Sequence, residues 1–320
     1  MNPVNTKPYQ LPPDAAWLSI GREIASLVAS KPNQRLIATA RDPSSLSYLP
    51  DGNPNILKLA LDVTSVTSID AAFAAAAKHF DPDYHLDVVV NNAGYSLSGD
   101  TEAATEEETH QEMETLFFGT ARVTTRAIEV MRQAKNHRGG LIFNISSLAG
   151  LCGFPGHAYY HAGKFAVEGF SESVAREVHP EWNSKLSFPI FSSALKELLV
   201  TNPLLSLRHI VNFCIIEPGG VKTNFEGHSK ARTKPHPVYA GADMPSRKLE
   251  VYVNMGLKSG AGIEPSAVAE TIFTIASRGE RIPLRVPLGA VAWKLAKAKF
   301  EGLLEELEKV KELSGMGAEI

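Results

Sequence analysis

Tyr160 and Lys164 stand four residues apart in "AYYHAGKFAVEGFSESVAREV", a stretch whose pattern predicts a helix, so the two side chains share one face. Thirteen residues before Tyr160, Ser147 closes "GLIFNISS", an apolar run that predicts a strand. A serine, a tyrosine and a lysine converging at the end of a strand make a proton-transfer site. A free phenol ionises near pH ~10, too high for acid–base work at neutral pH. A neighbouring ammonium favours the phenolate and lowers that value, while a serine hydroxyl can hold a substrate oxygen as charge develops on it. On its own the Tyr-x-x-x-Lys spacing is more often an ordinary helix surface, so the surrounding elements decide.

Those elements alternate. The runs "RLIATA", "NILKLALDV", "LDVVVNNAG", "GLIFNISS" and "FCIIEPGG" predict strands that are apolar almost throughout. Between them lie helical patterns: Ile24, Leu27 and Val28 on one face, "SIDAAFAAAAKHF", and a long stretch over residues 105–135. Continuous apolar strands alternating with helices predict a doubly wound α/β fold, a parallel β-sheet of Rossmann type with helices on both faces. Such a sheet binds its ligands beyond the carboxyl ends of the strands, where the chemically informative residues fall. Residues 14–313 are expected to form one domain, with residues 1–13 a loose tail.

Four motifs then come in order: "NNAG" at Asn91–Gly94, "NISS" at Asn144–Ser147, "YHAGK" at Tyr160–Lys164 and "EPGGVKT" at Glu217–Thr223. In that order and context the chain resembles the short-chain dehydrogenase/reductase family, over nearly its whole length. The nearest branch looks like the 17β-hydroxysteroid and retinol dehydrogenase-like oxidoreductases. The resemblance implies a nicotinamide cofactor and assigns Tyr160 as acid/base, with Lys164 holding the nicotinamide ribose and lowering the Tyr160 pKa. It implies that Ser147 polarises the carbonyl, with Ser146 and Tyr159 the competing serine and tyrosine. By the same carry-over Asp62 meets the adenine amine, Asn91, Ala93 and Gly94 form the turn beneath the adenosine ribose, and Pro218, Gly219 and Thr223 close over the nicotinamide. An acidic residue after the second strand would select NAD. Ala40 stands there and Arg41 follows, and arginine suits a 2′-phosphate. NADP is therefore the expected cofactor, with NAD the alternative and Arg41 paired to Asp42 the competing reading. The substrate is expected to be small and largely apolar, facing Leu148, Leu151, Cys152 and Phe154, under a lid over residues 224–256.

Three departures from the family pattern stand out. Family members carry T-G-x-x-x-G-x-G between first strand and first helix, but here "AAWL" leads into "SIGREIA" and Gly21 alone remains. Glycines there let the backbone aim N–H groups at a pyrophosphate. Each lost charge-assisted bond costs ~1.5–3 kcal/mol, so two or three would weaken cofactor binding by roughly a thousandfold. Second, residues 186–213, "LSFPIFSSALKELLVTNPLLSLRHIVNF", form a mostly apolar insertion before "CIIEPGG". A deletion and an insertion, both flanked by intact family sequence, fit the hypothesis of misplaced splice boundaries; a spliced transcript encoding these same residues would sink it. Third, Leu116 occupies the place where many family members carry an asparagine that orders a proton-relaying water.

Composition narrows the classes further. The chain has 320 residues, 44% hydrophobic and 21% charged, with net charge −3, so nothing points to nucleic acid. Two widely spaced cysteines, Cys152 and Cys214, form no metal or disulfide pattern, and a reduced cytoplasmic protein is the expectation. No metal site and no membrane span are expected. The last helix, rich in alternating Lys and Glu, reads as a solvated or subunit face rather than an interfacial anchor. The family resemblance implies a homodimer or homotetramer through the two long helices. The rival class is a protein of the same fold that binds cofactor poorly and catalyses nothing.

Overall fold

A computed structural model describes residues 4–82, 84–134, 138–178, 211–223, 225 and 229–315. The elements run β1 (Ala16–Ser19), α1 (Arg22–Ala29), β2 (Arg35–Ala40), β3 (Ile56–Ala60), α2 (Val66–Phe80), β4 (Val88–Asn91) and β5 (Ser96–Ser98). Next come α3 (Glu106–Met113), a wide π-turn over Glu114–Phe118, α4 (Gly119–Gln133), β6 (Gly140–Ile145) and α5 (Ala158–Glu177). After the undescribed stretch follow β7 (Val211–Pro218), β8 (Lys230–Arg232), α6 (Pro245–Lys258), α7 (Pro265–Ser277), β9 (Arg285–Leu288) and α8 (Ala290–Lys309).

Seven strands form one parallel sheet in the order β3-β2-β1-β4-β6-β7-β9, and β5 pairs with β8 separately. The order reverses at β1, which pairs with β2 on one side and with β4 on the other. That is the crevice where a doubly wound sheet takes its ligand. The apolar strands are buried on both faces because each face is covered by helices. One face packs Trp17, Leu36 and Val90 against Ile24 and Val28 of α1 and Ile272 of α7. The other packs Leu18, Ile37 and Val89 against Phe73 of α2, Val123 of α4 and Ala175 of α5. Trp17 is fully buried, stacks on Phe273 with centroids 5.6 Å apart, and donates its Nε1–H to Gln34 at 2.7 Å.

Two expectations need correction. Residues 4–13 are not a loose tail. Asn5 donates to the carbonyls of Phe213 (2.7 Å) and Ile282 (3.0 Å) and accepts the Phe213 amide (3.0 Å). Tyr9 is buried and its hydroxyl donates to the Asp87 carbonyl. Polar residues hid this because the segment is held by side-chain-to-backbone bonds, which leave no periodic trace. The insertion also ends earlier than residue 213. Val211–Phe213 are the buried start of β7, paired with Gly140–Ile142 of β6. Residues 186–210 lie outside the described residues.

Candidate active site

The β6 strand ends at Ile145, and the two serines that follow part company. Ser146 donates its backbone N–H to the Ile216 carbonyl at 2.8 Å, and its side chain is buried beneath Gly150. Ser147 is only partly buried and starts the turn Leu148–Gly150, accepting the Ala149 amide at 3.1 Å. Ser147 is thus the more accessible of the two candidates. That turn packs against α5, which carries Tyr160 and Lys164 on one face as their spacing requires.

Lys164 is buried, and its ammonium donates to the Ile145 carbonyl at 2.8 Å. Its nitrogen lies 5.8 Å from the Tyr160 ring centroid. Tyr160 is partly buried, and Phe225 packs on its ring at 5.9 Å between centroids. Burial pulls the Lys164 ammonium down to about 8, with Glu112 acting in the opposite direction. An ammonium poised this close to neutrality beside a phenol is a group whose charge governs that phenol's acidity.

Glu112, near the end of α3, escaped the sequence reading. It is fully buried, accepts the Leu97 amide on Oε1 at 3.0 Å, and leaves Oε2 without a hydrogen-bond partner. Burial pushes its carboxyl up to about 7. The available signal was its place one helical turn before Leu116, on the apolar face of an otherwise acidic helix. Leu116 lies in the π-turn and is buried between Gly94 and Gly163: a Cβ added to either glycine would sit 2.8 Å from its side chain. Gly94 also borders Lys164, whose nitrogen would lie 4.0 Å from that added Cβ. Leu116 therefore shields the space beside the lysine.

At the other end of the crevice, β1 is joined to α1 by Ile20 and Gly21 alone. Gly21 has φ +151°, a conformation open chiefly to glycine, and caps α1 without a side-chain cap. Among the described residues the first amides of α1, Arg22 to Ile24, have no backbone or side-chain acceptor, so they remain available to an anion. Asn92 fronts this turn: its Nδ2 would meet a Cβ at Gly21 at 3.2 Å. The donor set fits one phosphate at a helix N-terminus, with fewer amides than a longer loop would offer. Arg41 is exposed beyond β2 and acts electrostatically on Asp62. The competing Arg41–Asp42 pair does not form among the described residues; Asp42 instead accepts from the Ser44 amide and hydroxyl.

Asp62 is partly buried, and one oxygen accepts both the Thr64 hydroxyl (2.7 Å) and amide (2.9 Å), which holds it below the usual carboxylate range. Asn91 turns inward, donating to Thr124 (3.0 Å) and Asn144 (2.8 Å), while Asn144 donates to Ser171 (2.7 Å). Its side chain ties β4, β6, α4 and α5 together, whereas Ala93 packs against the core and Gly94 lines the crevice. Partly buried Pro218 ends β7 and is followed by Gly219, whose amide donates to the Leu288 carbonyl at 3.1 Å, and exposed Thr223 accepts the Phe225 amide at 3.2 Å. Leu148 and Leu151 are buried and the Phe154 ring packs at a tilt against His161, while Cys152 is half-buried beside the Leu295 carbonyl. A separate cavity of about 150 Å³ lies against α6, and its lining includes Asp100 ion-paired to Arg247. No metal-holding cluster, and no helix long and apolar enough to cross a membrane, is present among the described residues.

Comparison with known proteins matches residues 16–182 to the family described as short chain dehydrogenase. The chain is 61% identical to "Oxidoreductase calM" of Penicillium decumbens, over 99% of this chain and 97% of that one. It is 29% identical to a 3-ketodihydrosphingosine reductase of Bacteroides thetaiotaomicron, over 87% of each. Among solved structures, a short-chain dehydrogenase from Streptomyces avermitilis superposes with TM-score 0.71 at 26% identity, covering 94% of this chain and 98% of that one. One from Burkholderia cenocepacia, solved with NADP, superposes at 0.61 with 17% identity, covering 94% and 98%, a likeness of fold.

Proposed function

The chain belongs to the short-chain dehydrogenase family, and on that footing we propose that it is an NADP(H)-dependent oxidoreductase interconverting a carbonyl and an alcohol on a small, largely apolar substrate. The observation that carries this reading is the buried Lys164 ammonium beside the Tyr160 ring at the carboxyl edge of the sheet. When bound, the nicotinamide supplies or accepts the hydride. Tyr160 gives its hydroxyl proton to the substrate oxygen in reduction and takes it back in oxidation. Lys164, charged, stabilises the phenolate left behind. Ser147 donates to the same oxygen and keeps it oriented. Phe225 supplies apolar surface on the Tyr160 ring, Leu148, Leu151 and Phe154 follow Ser147 along the chain, and the lid helix α6 exposes Val251, Tyr252 and Met255. Arg41 supports the choice of NADP, since a 2′-phosphate would meet an arginine with no ion-pair partner of its own among the described residues.

The two-residue β1–α1 turn favours a second reading, a protein of this fold that holds cofactor too weakly to turn over. Titration of the purified chain by nicotinamide fluorescence separates the two. Catalysis is tested with NADPH and a panel of apolar aldehydes and ketones. Tyr160→Phe removes one hydroxyl and no volume, and is expected to lower kcat by about a thousandfold or more while leaving the thermal melt unchanged. A variant that keeps more than a small fraction of the wild-type rate moves the acid/base role elsewhere. Phe118 beside α4 and Phe165 on α5 are exposed, which supports pairing of these helices between subunits as a homodimer or homotetramer. Sedimentation as a monomer at micromolar concentration would refute that pairing.

A further inference from the structure

We propose that Glu112 is the buried counter-ion of Lys164, keeping the lysine charged and thereby setting the acidity of Tyr160. This rests on the functional reading above and assigns Glu112 a positioning role, because it acts through Lys164. Two observations carry it. The Lys164 ammonium is buried with a single carbonyl, that of Ile145, as its recorded acceptor. The Glu112 carboxylate is wholly buried on α3, which packs on the α5 helix of Lys164, one turn before the Leu116 that shares the Gly94 border with that lysine; its Oε2 has no hydrogen-bond partner, and it acts on Lys164 across a gap and not as a contact ion pair.

An ammonium taken out of water needs a compensating charge or it gives up its proton. No other carboxylate acts on Lys164 among the described residues. The titratable groups facing Glu112 are Lys164 from α5 and Tyr95 from the segment between β4 and β5; Glu108, one turn back on α3, acts on Tyr95. Tyr95 is itself pushed up to about 12 by its own burial and by Glu112, so it stays a neutral phenol and acts as the donor toward the carboxylate. Leu116 supports the arrangement by excluding water from the space between Gly94 and Gly163. A dry lysine depends on its counter-ion more than a wet one does.

The sign follows. Burial lowers the Lys164 pKa and Glu112 raises it. Without the carboxylate the lysine loses its proton at lower pH, so less of it is ammonium at neutrality and Tyr160 becomes a poorer acid–base group. Glu112→Gln keeps the shape and an acceptor for the Leu97 amide, so a merely structural role would leave titration untouched. The first readout is the pH titration of Lys164 in cofactor-free protein, followed by ¹³C NMR at the lysine ε-carbon. Glu112→Gln should move it down by about one pH unit or more, and Glu112→Asp should fall between. The second is the pH profile of kcat, whose alkaline limb should shift down with it by about one pH unit, lowering kcat about twofold at neutral pH and more above it, with KM unchanged. A Lys164 titration equal in wild type and Glu112→Gln overturns the proposal.

Should Glu112→Gln fail to fold, Tyr95→Phe provides the test. It removes the group that favours the Glu112 carboxylate, so it should raise the Glu112 titration and lower that of Lys164; a stationary Lys164 there also overturns the proposal. The titration needs neither cofactor nor turnover. A wild-type protein without reductase activity would sink the functional reading and leave this measurement standing.

Discussion

The two ends of the crevice are built differently. At the end that carries Ser147, Tyr160 and Lys164, these residues sit at a six-residue buried strand, a short turn and a 20-residue helix. Glu112 and Leu116 support the same spot from a second long helical stretch. At the β1–α1 end a four-residue strand passes through Ile20 and Gly21 straight into an eight-residue helix. The difference teaches that the fold and the cofactor cradle are separable. β1 holds its place through its neighbours: Trp17 pairs with Leu36 and Val88, and the Asp87 carboxylate accepts the Ala16 amide at 2.8 Å. None of those contacts needs a long loop after the strand, whereas the number of free amides offered to a phosphate depends on it.

The largest effect that would break this contrast is at the turn itself. Ser19 pairs with Ala38 and Val90, so a loop of T-G-x-x-x-G type belongs after Ser19, at Ile20. Adding it should tighten NADPH binding by roughly a thousandfold, as two or three charge-assisted bonds are regained. The melting temperature should move little, because β1 is already buried and paired. The readout is the NADPH dissociation constant of the original and repaired chains. Low-micromolar binding by the original, or no gain on repair, would mean that the free amides of Arg22 to Ile24 suffice and the two ends are equally competent.

The next largest concerns how the short-turn side stays folded. Asn5 makes three hydrogen bonds that fasten the N-terminal segment to β7 and to Ile282. Asn5→Ala leaves the Phe213 amide and two carbonyls unpaired in a buried place, at a cost of about 1–3 kcal/mol. Chemical denaturation should show the lower midpoint with an unchanged slope, and NADPH affinity should stay where it was. A variant as stable as the parent would show that the segment merely rests on the sheet.

The sheet, and the placement of Ser147, Tyr160 and Lys164 at its carboxyl edge, were legible because they follow rules local in sequence. Val88–Val90 and Leu141–Phe143 are apolar without interruption since both faces of their strands are covered, and Tyr160 and Lys164 share a face by helical geometry. What could not be read depends on tertiary context. "EEETHQEMETL" looks like a solvated helix, and only the packing shows that Glu112 turns inward among Leu97, Tyr95 and Lys164. Asn91 matched a cofactor turn by motif, yet its amide is spent inside the protein on Thr124 and Asn144. The tail was misread because Asn5 and Tyr9 work through backbone partners 208 and 78 residues away, respectively.

The smallest effect sharpens the contrast from the adenosine side, between the two ends. Arg41 is exposed, so its interaction with a phosphate is screened, and one charge-assisted contact at such a site is worth about 1.4 kcal/mol, or tenfold. Arg41→Ala should therefore weaken NADPH by about tenfold and leave NADH nearly unchanged, because only the former offers a 2′-phosphate. Asp62 adds an internal control. Its carboxylate is fixed by Thr64, and Arg41 contributes only weakly to holding it ionised, so removing the arginine should not release Asp62 from its turn. The measurement is the ratio of the two dissociation constants in parent and variant at low and high salt. The ratio should fall toward unity in the variant, and the parent's preference should shrink as salt rises. Equal losses for both cofactors would instead place Arg41 in the architecture of the β2 end and leave cofactor choice to other residues.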